Sequence, residues 1–350
     1  MTLSAQVIAK LRALSVLPEA IEQTALRHFI DAIGVGHGAA GSDAGAHWCC
    51  YGAMQQARGP ASAFGLPHGL DAPSAALING GLIHSLEYDD THTGSIVHGS
   101  AVLVPAALAV GQAVGASGAA IMRAYTLWYE VFIRIGLAAA GRFQDRGFQL
   151  TSIGGAVCAA GIAADLKGLD TAQSQAAIGI ALSQASGVFE FLTNGATVKS
   201  MHPGWAAHAG LIAADLAQAG MTGPLTAFEG RFGLFAQFAD DQAASERFAT
   251  LIGDLGQRWH LQDAAYKFYP CCHYLHPFIE AAKLLQAEGF EHRDVQAFDC
   301  GVPEGAAGII ALPWQDKVCA SGHLARWSLP VVVAMQLVDG HVDLASFEAP

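Results

Sequence analysis

Apolar residues recur with the spacing of an amphipathic helix along most of the first 220 residues. In residues 18–34, for example, Ile21, Ala25 and Phe29 would share one face of a helix. The same pattern predicts further helices over residues 72–88, 99–114, 117–140, 149–166, 170–187 and 203–219. Glycine-rich breaks separate several of these segments. The first part of the chain is therefore predicted to be all-helical.

The pattern changes after about residue 265. Val295–Val302 alternates apolar and polar residues as a β-strand does. Leu324–Leu337 returns to helical spacing, with Pro330 near the start of that helix or at a kink. We therefore expect a mainly α fold, with a large all-helical domain over residues 1–265 and a smaller α+β domain over residues 266–350.

Composition and charge narrow the function. The 350 residues carry 30 acidic and 18 basic side chains, which gives a formal net charge of −12, and the basic residues form no cluster. Binding to nucleic acid or to an anionic membrane surface is therefore not expected. An acidic protein can still bind an anionic substrate if it places its few cations in one pocket.

Hydrophobic residues make up 52% of the chain, which raises the question of a membrane span. Residues 91–122 contain no Asp, Glu, Lys or Arg, but histidines and Pro105 interrupt them. We therefore expect a buried helix of a soluble protein. The N-terminus lacks the basic and apolar segments of a signal peptide, and an odd number of cysteines, seven, does not suggest a disulfide framework. These features favour the reducing cytoplasm.

Two motif-like segments are not expected to bind a cofactor. Gly36–Gly41 spells G-x-G-x-x-G, but a predicted helix precedes it, whereas a dinucleotide site needs a strand there. Cys271, Cys272, His273 and His276 lie too close together in the sequence to surround a zinc ion easily. We therefore expect no metal and no other cofactor.

Two segments contain residues suited to acid–base chemistry on an anion. Glu87–Ser100 holds three carboxylates and two histidines between very apolar helices, which is typical either of a solvated loop or of acid–base groups at a pocket. Asn194–Ala207 places Lys199 and His202 just before a predicted helix start at Pro203. An anion there would meet free backbone N–H groups and the positive end of the helix dipole.

A third segment, Tyr266–Pro277, lies at the predicted domain boundary. It contains Lys267, Tyr269 and His276. Clefts often form at such boundaries and hold ligands. The alternative is a hinge packed with aromatic side chains.

At these three segments together the sequence resembles the MmgE/PrpD family, also called the 2-methylcitrate dehydratase family. The matching residues are Asp89-Asp90-Thr91-His92 with His98, Lys199-Ser200-Met201-His202-Pro203-Gly204-Trp205, and Lys267-x-Tyr269-Pro270-x-Cys272-x-x-x-His276. Supporting matches are Leu77-Ile78-Asn79-Gly80-Gly81 and Ala325–Pro330. The resemblance covers essentially the whole chain.

The resemblance implies a helical domain that carries a smaller lid domain, a homodimer, and a cofactor-free site for a small polycarboxylate in the cleft between the domains. Members dehydrate 2-methylcitrate, decarboxylate cis-aconitate or epimerise iminodisuccinate. This chain differs at Gln149, where many members have a histidine in a Gly-Phe-His-Pro-Thr stretch. Members are also usually longer, so we expect the lid to be incomplete and the strand at 295–302 to lack partner strands.

Residue type and resemblance together suggest a role for each candidate. Proton removal next to a carboxylate requires cations or hydrogen-bond donors, together with a base. Lys199 would supply the cation, and His98 would be the base or acid. His202 or His276 would act opposite His98, and Asp90 would orient a histidine. The residues expected to bind substrate are Thr91, Gln149, Lys267 and Tyr269.

We therefore expect a cofactor-independent lyase of the 2-methylcitrate dehydratase type, acting on a small polycarboxylate. One alternative is an isomerase, epimerase or decarboxylase of the same family. Another is a catalytically degraded protein that only binds its ligand. The sequence does not identify the polycarboxylate.

Overall fold

The computed structural model describes residues 1–318, 320 and 322–348, and helices dominate it. In chain order the α-helices are α1 Leu3–Ala13, α2 Glu19–Ala40, α3 Ala46–Met54, α4 Ala72–Ser85, α5 Gly99–Val114, α6 Gly118–Ala139, α7 Arg142–Asp145, α8 Leu150–Leu166, α9 Thr171–Gln184, α10 Met201–Gln218, α11 Ala244–Gly253, α12 His276–Ala287, α13 Glu304–Ile310, α14 Trp314–Val318 and α15 Leu329–Asp339. The strands of the described residues are β1 Arg58–Ala61, β2 Thr91–His92 and β3 Ala264–Ala265, and β2 pairs with β3 in antiparallel register. The prediction of a mainly α fold is confirmed.

The chain divides into two compact units. The first unit comprises Met1–Ser85, Asp89–Phe189 and Val198–Tyr266, and the second comprises Leu86–Tyr88, Glu190–Thr197 and Lys267–Pro350. The last division between the two units follows Tyr266 and lies next to the boundary that the sequence predicts near residue 265. The sequence did not indicate that two short earlier segments belong to the second unit.

Helices rich in alanine and glycine form the centre of the first unit. α8 is buried continuously from Leu150 to Ala164, and α5 from Gly99 to Ala107. α10 packs against α4, α8 and α9. The uncharged stretch at residues 91–122 therefore includes a helix buried on all sides. Among the described residues, no helix combines the length and the apolar character that crossing a membrane requires.

Two glycines bring α4 and α10 into backbone contact. A Cβ atom on Gly80 would lie 2.6 Å from the Cα of Gly204, and a Cβ on Gly204 would lie 2.2 Å from the carbonyl oxygen of Leu77. Protein interiors are close-packed, so a larger residue at either position would push the two helices apart. This crossing places His84, near the end of α4, against Lys199, just before α10.

The first glycine-rich segment continues a helix instead of ending it. α2 was predicted to end near residue 34, but it extends to Ala40. Gly36 packs on the ring of Phe64, where a Cβ atom would lie 2.6 Å from a ring carbon. The G-x-G-x-x-G pattern at Gly36–Gly41 therefore reflects helix packing.

The prediction of a strand at Val295–Val302 is wrong. The segment contains neither helix nor strand, and Phe298 is 39% exposed. A strand needs a neighbour to bond with, and the described part of the second unit contains none. This unit is therefore helical in its described part and not α+β. The predicted helix at Leu324–Leu337 is also divided, because a 3₁₀-helix precedes α15.

The core of the second unit lies around α12 and α15, which pack against each other. Its buried residues include Leu275, Ile279, Leu329 and Val332. Pro330 lies in the first turn of α15, where a missing backbone N–H costs no helical hydrogen bond. Pro330 therefore begins this helix and does not kink it.

We predict that Gly204→Ala lowers the free energy of unfolding by about 1–3 kcal/mol, because the new methyl group has to displace backbone atoms of α4. Urea unfolding measures the change. Gly34→Ala is the matched control, since Gly34 also lies inside a helix and a Cβ there would meet nothing within 4 Å. The control should be neutral or raise stability by up to about 1 kcal/mol. Equal stability of the two variants would contradict the proposed role of the crossing.

Candidate functional site

His84 occupies the centre of a buried polar cluster in the first unit. Its Nδ1 lies 2.8 Å from Oδ2 of Asp89, and its Nε2 lies 2.9 Å from Nζ of Lys199. All three residues are buried. An ammonium group only donates hydrogen bonds, so Nε2 of His84 accepts from Lys199 and the ring proton on Nδ1 is donated to Asp89. His84 is therefore a neutral ring held between an anion and a cation.

Gln149 and His202 extend this arrangement. Nε2 of Gln149 lies 3.4 Å from Nε2 of His84, and its Oε1 accepts a hydrogen bond from Nδ1 of His202. Burial, together with the electrostatic influence of the neighbouring His84 and Lys199, lowers the pKa of His202 to about 3. His202 is therefore neutral near pH 7. It donates a hydrogen bond from Nδ1 and does not act as an imidazolium acid at that pH.

His98 approaches His84 with the edge-to-face ring geometry of an aromatic pair. The two ring centroids are 5.0 Å apart and the planes are inclined by 66°. Nδ1 of His98 lies 3.1 Å from Oγ1 of Thr91 and 3.4 Å from Oδ2 of Asp89. The His98 side chain keeps 15% of its surface exposed, so it is accessible to solvent. We call the group of His84, Asp89, Thr91, His98, Gln149, Lys199 and His202 the His84 cluster.

Local structure explains why these side chains meet. His98 is the N-cap residue of α5, and Lys199 lies in a 3₁₀ turn, Thr197–Ser200, that leads directly into α10. His202 lies in the first turn of α10 and not before it, because the helix begins at Met201. The indole N–H of Trp48 donates to Oγ of Ser200 at 3.1 Å and so fixes this turn.

Asp90, although adjacent to Asp89, faces a different group. Its Oδ2 accepts hydrogen bonds from the hydroxyls of Ser100, at 2.6 Å, and Tyr129, at 3.0 Å. The same oxygen lies 3.0 Å from Nδ1 of His28. Asp90 therefore contacts a histidine, as predicted, but these contacts attach the segment that follows it to α2, α5 and α6.

A second carboxyl group lies near Asp90. Burial, with a further contribution from the negative charge of Asp90, raises the pKa of Asp31 to about 6. Asp31 is thus a carboxyl group that titrates close to the physiological range. The ring of His28, which contacts Asp90, stacks on Tyr266 with the centroids 4.3 Å apart.

The remaining predicted site residues, Lys267, Tyr269 and His276, belong to the second unit. Nζ of Lys267 donates to the carbonyl oxygen of Glu87 at 2.9 Å and lies 3.4 Å from Oε2 of the same residue. The hydroxyl of Tyr269 donates to the carboxylate of Glu280. Burial, with the charge of Lys267, lowers the pKa of His276 to about 3. Within this unit Lys267 therefore forms a buried ion pair.

Neither His84 nor Asp89 is among the residues that the sequence predicts for the site. Asp89 lies in the acidic segment Glu87–Ser100, but the predicted site carboxylate of that segment is Asp90. His84 lies in an apolar helix, where a lone histidine is usually a core residue. The available signal was its position just before the acidic segment, because a buried ring nitrogen needs a polar partner.

Comparisons with known proteins agree with the family resemblance described in the sequence analysis. The family model of the MmgE/PrpD N-terminal domain matches residues 4–247, and that of the MmgE/PrpD C-terminal domain matches residues 269–350. The chain is 29% identical over 61% of its length to the cis-aconitate decarboxylase-like protein oryM of Aspergillus oryzae, and covers 46% of that protein.

Two further relatives carry the name cis-aconitate decarboxylase. The Aspergillus terreus protein is 28% identical over 61% of this chain, which covers 45% of it. The Homo sapiens protein is 27% identical over 78% of this chain, which covers 56% of it. The chain thus spans about half the length of the curated relatives it matches.

We predict that Asp31→Asn reduces the pH dependence of stability between about pH 4 and pH 6. The pKa of Asp31 is about 6 in the folded protein against an ordinary 3.8, so the folded state holds the extra proton in this range. The stability due to this group is therefore present below the ordinary pKa and is lost as pH rises through about 6. Urea unfolding over this range, with the exposed Asp145→Asn as control, measures the effect. Parallel pH curves for the parent and Asp31→Asn would contradict it.

Proposed function

Because the chain belongs to the MmgE/PrpD family, we propose that it is the part of an enzyme that binds and transforms a small polycarboxylate. The observation that carries the proposal is the His84 cluster. It places a buried lysine beside neutral imidazoles and an amide, with a carboxylate held behind His84. Such an arrangement suits a polyanionic substrate, because a cation and several hydrogen-bond donors stabilise its negative charges.

We favour decarboxylation of a substrate like cis-aconitate, because several curated relatives are named for that reaction. The bond between the CH₂ carbon and its carboxylate breaks, CO₂ leaves, and the electron pair forms a new double bond. The former double bond shifts its electrons to the carbon next to the second carboxylate. That carbon takes up one proton, which completes the reaction without a redox step.

Each member of the cluster has a role in this scheme. Lys199 stabilises the negative charge that develops on the second carboxylate, and Thr91 and Gln149 provide further donors. His98 delivers the proton, because an imidazole titrates near neutral pH and this one is accessible. His202 is neutral with a pKa of about 3, so at neutral pH it acts through its hydrogen bonds.

Dehydration of 2-methylcitrate is the second candidate. It requires a base that removes a proton from carbon and an acid that protonates the departing hydroxyl. The cluster contains a second imidazole, His202, besides His98, but a pKa of about 3 makes it a weak base at neutral pH, so dehydration is less favoured than decarboxylation.

An NMR assay with separate samples of cis-aconitate and 2-methylcitrate distinguishes these reactions. Loss of CO₂ with a shifted double bond supports decarboxylation, and a new double bond formed from 2-methylcitrate supports dehydration. Binding of either acid in calorimetry without turnover would favour a protein that only binds its ligand. The absence of both binding and turnover would contradict the assignment to polycarboxylates.

We further propose that the enzyme is a cytoplasmic homodimer, as the resemblance implies. The six cysteines within the described residues are all free, which fits a reducing compartment. Light scattering coupled to size exclusion tests the dimer, and a monomer at micromolar concentration would contradict it.

We predict that Lys199→Met and His98→Asn each lower turnover by about 100-fold or more while the protein stays folded. The first removes the cation and the second removes the proton donor. Lys283→Met and His292→Asn are matched controls, because both residues are exposed and lie outside the cluster. Turnover near the parental value in either cluster variant would exclude the role assigned to that residue.

We also predict that EDTA leaves turnover unchanged, because the proposed reaction uses only side chains as cations and proton donors. Turnover is measured before and after dialysis against the chelator. A loss of turnover that added zinc or another metal restores, while circular dichroism shows the protein folded throughout, would show that the reaction depends on a metal.

A further inference from the structure

A second group of histidines and a carboxylate lies outside the His84 cluster. His92 is in β2, and His260 and Asp263 come from the turn before β3. The antiparallel pairing of His92 with Ala264 brings them together. Each side chain offers one ligand atom, and these three atoms lie within 4.8 Å of one another. We propose that His92, His260 and Asp263 form a binding site for a divalent transition metal of the zinc class.

His92 and His260 both lie in the protein interior. Each residue is only 4% exposed. Nε2 of His260 is buried with no hydrogen-bond partner within the described residues, and such an atom calls for an explanation.

Ser95 orients the ring of His92. The Ser95 hydroxyl lies 2.8 Å from Nδ1 of His92 and can donate in turn to the carbonyl oxygen of His92 at 3.4 Å. The backbone N–H of Ser95 donates to Nδ1 at 3.1 Å and also to the carbonyl oxygen of His92 at 3.2 Å. Ser95 thus holds the ring of His92 through Nδ1, and Nε2 lies outside these hydrogen bonds.

Two arginines, Arg134 and Arg258, place positive charge near His260. Arg134 forms ion pairs with Glu130 and Asp254, so its charge is balanced locally, and Arg258 is exposed to solvent. Asp263 is exposed and adds a carboxylate at the open side of the group. Two imidazoles and one carboxylate are a common ligand set for zinc, which completes its coordination with water.

A comparison with the His84 cluster supports the choice of site. His84, Asp89 and His98 also place three ligand atoms within 4.8 Å. In that group, however, both nitrogens of His84 are used, one by Asp89 and the other by Lys199. A metal there would have to displace Lys199, whereas no such contact has to be broken at His260.

The proposed metal would attach β2 to the turn before β3. The segment from Asp89 to His98 carries three members of the His84 cluster and contains His92. Metal binding would therefore stabilise this segment without taking part in the proposed reaction.

Titration of the chelator-treated full chain with Co²⁺ tests the proposal, because visible d–d absorption reports coordination by protein ligands. We expect one equivalent to bind to the parent protein and to His292→Gln, which alters an exposed histidine elsewhere. His92→Gln and His260→Gln should abolish this binding. Zn²⁺ should raise the thermal midpoint of the parent but not that of these two variants.

Asp263→Asn keeps the test decisive if the buried histidine variants fail to fold, since Asp263 is exposed. It should weaken binding at least about tenfold, because even outer partners of metal ligands contribute that much. Failure of the parent to bind one equivalent would overturn the proposal. Unaltered affinity in Asp263→Asn would also overturn it, since the metal would then be bound elsewhere. Neither outcome depends on the enzyme's substrate.

Discussion

The contact between Gly80 and Gly204 is the constraint on which the candidate site depends. At this crossing the backbones of α4 and α10 touch, with no room for a Cβ atom on either glycine. At this separation His84, at the end of α4, reaches Lys199, just before α10, with a hydrogen bond of 2.9 Å. The site is thus built on two rigid helices, and its precision comes from packing between them.

The cost of burying charge determines the protonation states of the histidines beside this helix crossing. A buried lysine and a buried aspartate are costly unless each has a partner, and the ring of His84 provides one for both. Because Lys199 occupies the acceptor nitrogen, the tautomer of His84 is fixed. The same positive charge helps to keep His202 neutral. One cation therefore fixes the tautomer of His84 and adds to the burial that keeps His202 neutral.

The sequence predicted the helices well and the details of the site only in part. Helices of the first unit follow apolar periodicity, and α5 and α8 begin and end within about one residue of prediction. The prediction of a strand at Val295–Val302 failed because alternation of apolar and polar residues is a property of one segment, whereas a strand also requires a neighbouring strand. His84 was missed for a related reason, since its partner Lys199 is remote in sequence and only the helix crossing joins them.

The two adjacent carboxylates of the acidic segment show how local geometry divides one motif between two tasks. Asp89 and Asp90 are both buried, yet Asp89 faces His84 and Asp90 faces His28, Ser100 and Tyr129. Next to a short strand, neighbouring side chains point to opposite sides of the backbone. One carboxylate is therefore available to the site because the other holds the segment in place. The sequence does not distinguish the two aspartates. The opposite directions of their side chains place Asp89 in the candidate site and leave Asp90 to support the fold.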